Sequence, residues 1–481
     1  MKKLFTFPIL ASILLLGVAC TRVERSNTRG GGINGTPVET KSIQQQENSV
    51  KANSVEVPEE VIAGAKAQPL APKPQQTLHV FIENSGSMNG YINKASDFQM
   101  AIGRAIQLMR FKYGEENIKT YYINQNVREC ARPEGTDIFN FVKKMLEKKD
   151  FTTSGTGKAD KGTTSTDLNE IVKRVLGYVD ENNTAILISD FIYSLSSTNG
   201  VTTALLYDCQ NLTMSAFLQK TRALPQNVSL ATNLIQLYSN FEGKYWTWAQ
   251  PTGNGYVSLN CARPYFMCVL GTDENVKEFN HDITIDELRG YKNQFTISNK
   301  DVSKANYTVL DTKYRIGSFK HSNKENSVHA LTSARKNNVN AFEFGIGIDL
   351  SDFSMSESDK LDPANYTIEQ GDYQIAKIEL IDTTKLVSPK DKMLIRNNHC
   401  THAIVVSCTG FPNNLSISIK RDLPLWVRQS SSVDDRNIRS DEQEQLKTFG
   451  LAYFVEGISD AYKYLAKDKN NFMTINVSVT K

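Results

Sequence analysis

Past its amino-terminal leader, the chain of 481 residues has no apolar run of 18 or more. A helix that crosses a bilayer needs about 20 apolar residues, so everything after the leader reads as a soluble body. An excess of one charge is also missing: 55 Lys and Arg face 52 Asp and Glu. A nucleic-acid-binding domain usually carries a pI above about 9, and this balance argues against nucleic acid as a partner. There is no G-x-S-x-G, no H-E-x-x-H and no glycine fingerprint behind a strand, and the six His are scattered. The short motifs of hydrolase, zinc-protease and dinucleotide chemistry are therefore absent, and the chain is not expected to be an enzyme. Cysteine is scarce, seven in all, and odd in number. In an exported protein the odd one needs its own explanation. Residues 21–76 contain no Phe, Tyr or Trp.

The leader supplies that explanation. Lys2 and Lys3 precede an apolar run over 4–19 that is too short for a span and closes in Leu16-Gly17-Val18-Ala19-Cys20. A basic start, a short apolar stretch and small residues make an export signal. The cleavage region resembles a bacterial lipoprotein signal, which implies removal of residues 1–19 and acylation of Cys20. Lys2 and Lys3 leave with the signal, so the body is near neutral and the lipid on Cys20 would hold it to the membrane. Residues 20–76, rich in Ser, Asn, Gln, Lys, Gly and Pro, cannot bury enough apolar area to offset ordering entropy. They read as a disordered tether with an r.m.s. reach of about 40 Å. Cys20 is followed by Thr21, Arg22 and Val23 rather than an acidic cluster, which by the same resemblance favours the periplasmic face of the outer membrane over the cell surface.

Order is expected from Thr77. Strand-like runs at 77–83 (TLHVFIE), 118–123, 185–189 (AILIS), 228–238 and 265–270 alternate with helical spacings at 97–112, 138–146, 167–179 and 213–224, the last with Thr213 as N-cap. Strands alternating with helices predict an α/β domain over 77–283, with a mostly parallel sheet covered on both faces. Beyond that the apolar period becomes two. Phe342, Phe344, Ile346, Ile348 and Leu350 share one face, and so do Leu415, Ile417 and Ile419, and Ile475, Val477 and Val479. Period two predicts antiparallel, sandwich-like β domains over 284–388 and 389–481, the second with an inserted helix over 442–465 packed on it.

The strand at 77–83 ends in Glu83-Asn84-Ser85-Gly86-Ser87. Loops at the carboxyl ends of parallel strands are where open α/β sheets bind ligands. A hard cation such as Mg²⁺ takes six oxygens at about 2.0–2.1 Å, and two hydroxyls two residues apart can reach one ion. Thr166 stands just before the helix at 167–179, and Asp190 closes the run Ile186-Leu187-Ile188-Ser189. These three motifs, in this order, resemble the metal-ion-dependent adhesion site of the von Willebrand factor type A domain, whose first motif is D-x-S-x-S. The resemblance covers about residues 77–281 and implies a Rossmann-like fold. It also implies a cation (Mg²⁺, or Mn²⁺ or Ca²⁺) held by Glu83, Ser85, Ser87, Thr166 and Asp190. An open coordination position would then receive an acidic residue of a protein partner. Glu83 stands where the family has Asp; it is one methylene longer and would reach the ion directly or through water. The alternative is a metal-free envelope scaffold, in which Ser85, Ser87 and Thr166 merely cap turns and a helix. A further alternative, an envelope hydrolase, would need converging polar groups in the β-rich half.

Other short patterns carry less. Asp352-Phe353-Ser354-Met355-Ser356 repeats D-x-S-x-S without the downstream partners and reads as a polar loop, and Gly155-Thr156-Gly157-Lys158 fails the phosphate-loop spacing. His399, Cys400 and His402 lack a second ligand pair at zinc spacing. Trp246 and Trp248 would share a strand face, as in an aromatic recognition hairpin or in packing against one. With Cys20 acylated, six cysteines remain and 15 pairings are possible. Cys400 with Cys408, and Cys261 with Cys268, are the candidate disulfides, against buried free thiols.

Overall fold

Seven strands form the first sheet: β1 (Thr77–Glu83), β2 (Ile118–Ile123), β3 (Val127–Glu129), β4 (Asn183–Ser189), β5 (Leu230–Trp246), β6 (Tyr256–Thr272) and β7 (Tyr291–Ser298). Their order is β3-β2-β1-β4-β6-β5-β7. The computed structural model describes residues 76–153, 167–194, 200–249, 255–302, 306–321, 326–336, 339–409 and 412–480. The leader, Cys20, the tether, Thr166 and the loop with Gly155 and Lys158 lie outside the described residues.

The expectation of a mostly parallel sheet needs correcting. β1 pairs parallel with β2 and β4, but β3, β6, β5 and β7 all join antiparallel. The reason is the link between β5 and β6. Parallel neighbours need a crossover of a dozen or more residues, usually a helix, and the nine positions between Trp246 and Tyr256 cannot supply one. The two strands therefore form a long hairpin, and the sheet takes its edge strand, β7, from beyond position 283.

Helices cover both faces. The numbered helices of this half are α1 (Asp97–Tyr113), α2 (Ile138–Met145), α3 (Lys148–Thr152), α4 (Leu168–Leu176), α5 (Thr203–Ala223) and α6 (Asp273–Asp282). Ser96 and Gln99 form a capping box at the start of α1, and Phe98 then sets its ring 4.9 Å from that of Tyr265. Phe266, the next residue on β6, points to the opposite face, where its ring lies 5.9 Å from Phe191. Thr202, not Thr213, caps α5. Thr213 is buried within that helix, with its hydroxyl 2.8 Å from Asn169 Oδ1.

The remaining helices are α7 (Glu357–Leu361), α8 (Pro389–Asn397), α9 (Leu425–Gln429), α10 (Glu442–Gln445) and α11 (Leu451–Leu465). The single helix expected over 442–465 is thus two helices, separated by a short strand at Thr448–Phe449 and by Gly450, whose φ is +80°. Nor does α11 pack on the last β domain. It lies along α5 and over the first sheet: Phe454 meets Phe191 at 5.0 Å, and the Tyr462 and Thr232 hydroxyls are 2.8 Å apart. Its amphipathic face was legible in the sequence, but the surface that face meets was not. Gly457 permits the close approach, since a Cβ there would stand 2.5 Å from Gln210 O and 2.9 Å from Thr213 Cβ. Gly457→Leu should therefore lower the unfolding free energy by about 2 kcal/mol, read as an earlier urea midpoint.

Two five-stranded sheets make the β-rich half. The first runs Tyr366–Gln370, Leu415–Lys420, Asn471–Val479, Ser327–Thr332 and Ser318–His321, and the second centres on Val339–Ile348 paired with His402–Cys408. Phe344, Ile346, Ile404 and Val406 of one sheet share a buried cluster with Leu415, Ile417, Ile475 and Val477 of the other. The period-two pattern predicts sandwich-like packing, but not two domains over 284–388 and 389–481: strands of both ranges pair within each sheet and share one core. Arg421 pins it to the first sheet. Its guanidinium donates to Ser298 O at 2.7 Å, Lys300 O at 2.9 Å and Asn471 O at 3.0 Å, and lies 4.3 Å from the Phe472 ring. Among the described residues no helix is long and apolar enough to cross a membrane.

Candidate functional site

Three neighbouring strands end together. The register sets Glu83 beside Ile123 and Ile82 beside Ile188, so each apolar run gives way to polar residues at one edge of the sheet. These are Glu83 and Asn84 at the end of β1, Asn124 just past β2, and Ser189 with Asp190 at the end of β4. All five are buried. Asn84 donates to Phe151 O at 2.9 Å and accepts from Asn124 at 2.8 Å. This brace sits under the loop that follows and fixes where it turns.

In that loop Ser85 precedes a short 3-10 turn (Gly86–Ile92), yet its side chain makes no capping bond. Its hydroxyl oxygen instead lies 2.9 Å from that of Ser87. An octahedral Mg²⁺ with bonds of 2.0–2.1 Å has neighbouring oxygens about 2.9 Å apart, so the hydroxyl pair has the spacing of one edge of such a shell. Asp190 supplies the nearby carboxylate, and it is only 3% exposed. Burial pushes its carboxyl above the ordinary value, while the Ser87 hydroxyl, the Ile192 amide and the Arg263 guanidinium favour the charged form. One oxygen of Glu83 accepts the Ser189 hydroxyl. The donor set is hard oxygen throughout, which suits Mg²⁺ and not a soft metal.

Comparison with protein-family models, curated proteins and solved structures returns no match for this chain. The site is therefore read from its own residues. The structure brings Ser85 to Ser87 and Ser87 to Asp190, while Glu83 accepts from Ser189, the residue before Asp190. Thr166 is outside the described residues, and its neighbour Asp167 caps α4 by accepting the Asn169 amide at 2.9 Å. Among the described residues no group of three His, Cys, Asp or Glu is arranged to hold a metal, so any cation here would depend on the hydroxyls.

The sequence reading missed the support behind Asp190. Arg263 is fully buried on β6, 4.4 Å from the Tyr245 ring, and donates to Gln445 O at 3.1 Å and Lys447 O at 3.2 Å. It ties the Asp190 side of the site to the carboxy-terminal segment. Asp435, from that same segment, accepts Tyr245 Oη at 3.0 Å and the amides of Trp248 and Ala249 at 2.8 and 2.9 Å. Phe191 follows Asp190 with φ of +53°, a conformation that is rare for a bulky residue and clusters at functional sites. Nothing in the local sequence marks Arg263 or Asp435. The polar residue after each apolar run was the signal that could have added Asn124 and Ser189.

The remaining patterns resolve into structure. Ser356 of the second D-x-S-x-S caps α7, accepting the Asp359 amide at 3.2 Å, and Phe353 packs on Phe472. Burial pushes the Asp359 carboxyl up to about 6. The unfolded value is about 3.9, so between the two the native state holds the proton more tightly and stability falls as pH rises. Unfolding should cost on the order of 2 kcal/mol less above pH 7 than at pH 4 through this group. Asp359→Asn should flatten that slope in urea titrations across the window.

His402 lies 3.2 Å from Glu357. Trp246 pairs with Tyr256 at 6.3 Å, while Trp248 leaves the strand for Asp435. Neither candidate disulfide forms; all six described cysteines are free. Cys261 and Cys268 are both on β6, seven residues apart, which is roughly 23 Å along a strand and puts them on opposite faces. Cys400 and Cys408 likewise stand just before and at the end of one strand, His402–Cys408.

Proposed function

We propose that the chain is a lipid-anchored envelope protein whose α/β domain is of the von Willebrand factor type A kind. In this reading it binds an acidic residue of a protein partner through a divalent cation. The observation that carries it is the Ser85–Ser87 hydroxyl pair, 2.9 Å apart beside Asp190 at the carboxyl end of β1. Ser85, Ser87 and Asp190 would hold the ion with Thr166, and Glu83 would reach it directly or through water. A coordination position left to the partner suits adhesion and has no activated nucleophile. Lipid on Cys20 and the tether would carry the domain clear of the membrane, at the periplasmic face.

One observation favours the second reading, a metal-free scaffold. Glu83 already accepts Ser189, and Asp190 already has Ser87 and Arg263 near it, so these carboxylates are compensated in part without an ion. Crosslinking and pull-down of the full chain from native envelope, with and without EDTA, separates the two. A partner retained only without EDTA supports the cation; capture unchanged in EDTA supports the scaffold.

A further inference from the structure

A cavity of about 550 Å³ opens between α1 and α2, with neither Glu83 nor Asp190 in its lining. That volume is in the range of small-molecule sites, which are mostly apolar with a few convergent polar groups. Its walls are apolar: Ile92, Met100, Phe139, Val142 and Leu146 line it. Met100 and Phe139 stand 41% and 59% exposed at its edge, an arrangement that single surface residues do not explain. Gly103 lies on the same wall and keeps the space open. A Cβ there would meet only Val142 Cγ1, at 3.5 Å. Gln99 donates to Leu146 O at 2.7 Å and so fixes the end of α2 against α1.

The rim is basic. Lys94, Arg104, Lys143 and Lys148 border the cavity, against a single acid, Glu147. Lys94 is 2.7 Å from Glu242, and Lys148 donates to Asn93 Oδ1 at 2.6 Å. Among the described residues no acid pairs with Arg104 or Lys143. Lys143 in the last turn of α2 also complements that helix's dipole, but Arg104 sits in mid-α1, where no dipole end calls for a cation. An apolar trough under two unpaired cations matches a molecule with an apolar body and an anionic head.

We infer that this cavity binds a long acyl chain bearing an anionic head group, with the chain between α1 and α2 and the head at Arg104 and Lys143. The site does not use the cation, and its test is run in EDTA so that the two readings fail separately. The full chain carrying Cys20→Ser, which removes the acylation target, is titrated calorimetrically with laurate below its micellar concentration. Dodecyltrimethylammonium is the control of like length and opposite charge. In a second arm the same protein is co-sedimented with phosphatidylglycerol vesicles. Laurate should bind at one saturable site, at least tenfold tighter than the cationic control. Arg104→Glu with Lys143→Glu should weaken binding at least tenfold at an unchanged melting temperature. Gly103→Leu should fill the cavity and abolish binding with the fold retained. Variant-sensitive binding in the vesicle arm alone identifies bilayer lipid as the source, and in the laurate arm alone a free amphiphile. Binding in neither arm, binding undisturbed by Gly103→Leu, or equal affinity for the cationic control overturns the inference.

Discussion

Ser87→Ala should lower Mg²⁺ affinity by at least about 100-fold, more than losing a group that only orients a metal ligand usually costs, and should remove any cation-dependent partner binding with it. The hydroxyl is one of two that sit 2.9 Å apart, and Ala would leave Ser85 alone on that edge of the proposed Mg²⁺ shell. The fold should hardly notice. Ser87 is half-buried, and losing one hydrogen bond there costs about 1 kcal/mol. The same change also withdraws a group that favours the Asp190 carboxylate, so proton and metal compete more strongly at that site. Affinity in the unaltered chain should fall as pH is lowered, since the buried Asp190 carboxyl titrates above its ordinary value. The check is metal titration of both chains at two pH values, with urea unfolding showing that the fold is retained.

Arg263→Met should be the most destabilising single change, by about 3–5 kcal/mol, the usual cost of removing one partner from a buried charged network. Met fills much of the volume but leaves Gln445 O and Lys447 O without their donors. It also strips the compensating charge from Asp190 and removes the cation that stands 4.4 Å from the Tyr245 ring. Those carbonyls belong to the segment that leads into α11, so amide exchange should rise first around 430–450. Arg263→Lys should recover little, because one ammonium cannot reproduce the two-pronged donation of a guanidinium. Urea unfolding with exchange read by residue measures both effects.

The pattern of legibility has physical causes. β1 and β4 are buried on both faces, so their runs VFI and AILIS stand out from any partner, and the motif at their ends was visible with them. The period-two faces of the sandwich were visible because alternation is a local signal. Pairing direction was not, since β5 and β6 are equally apolar in either sense; only the short link between them decides it. The docking of α11 on α5 depends on residues 250 positions apart, such as Gln210 and Asp460, 2.8 Å from each other. Arg263 was hidden for the same reason, because its acceptors are carbonyls 182 and 184 positions away. The cysteine pairs suggested by nearness along the chain failed because an extended strand separates what sequence brings close.

In the proposed reading, the Ser85 and Ser87 hydroxyls after β1 and the buried Asp190 carboxylate after β4 hold a divalent cation. Calorimetric titration of the full chain with Mg²⁺, and then Mn²⁺, tests it directly. One saturable site that is lost in Ser87→Ala is the predicted result, and no binding at millimolar metal would contradict it.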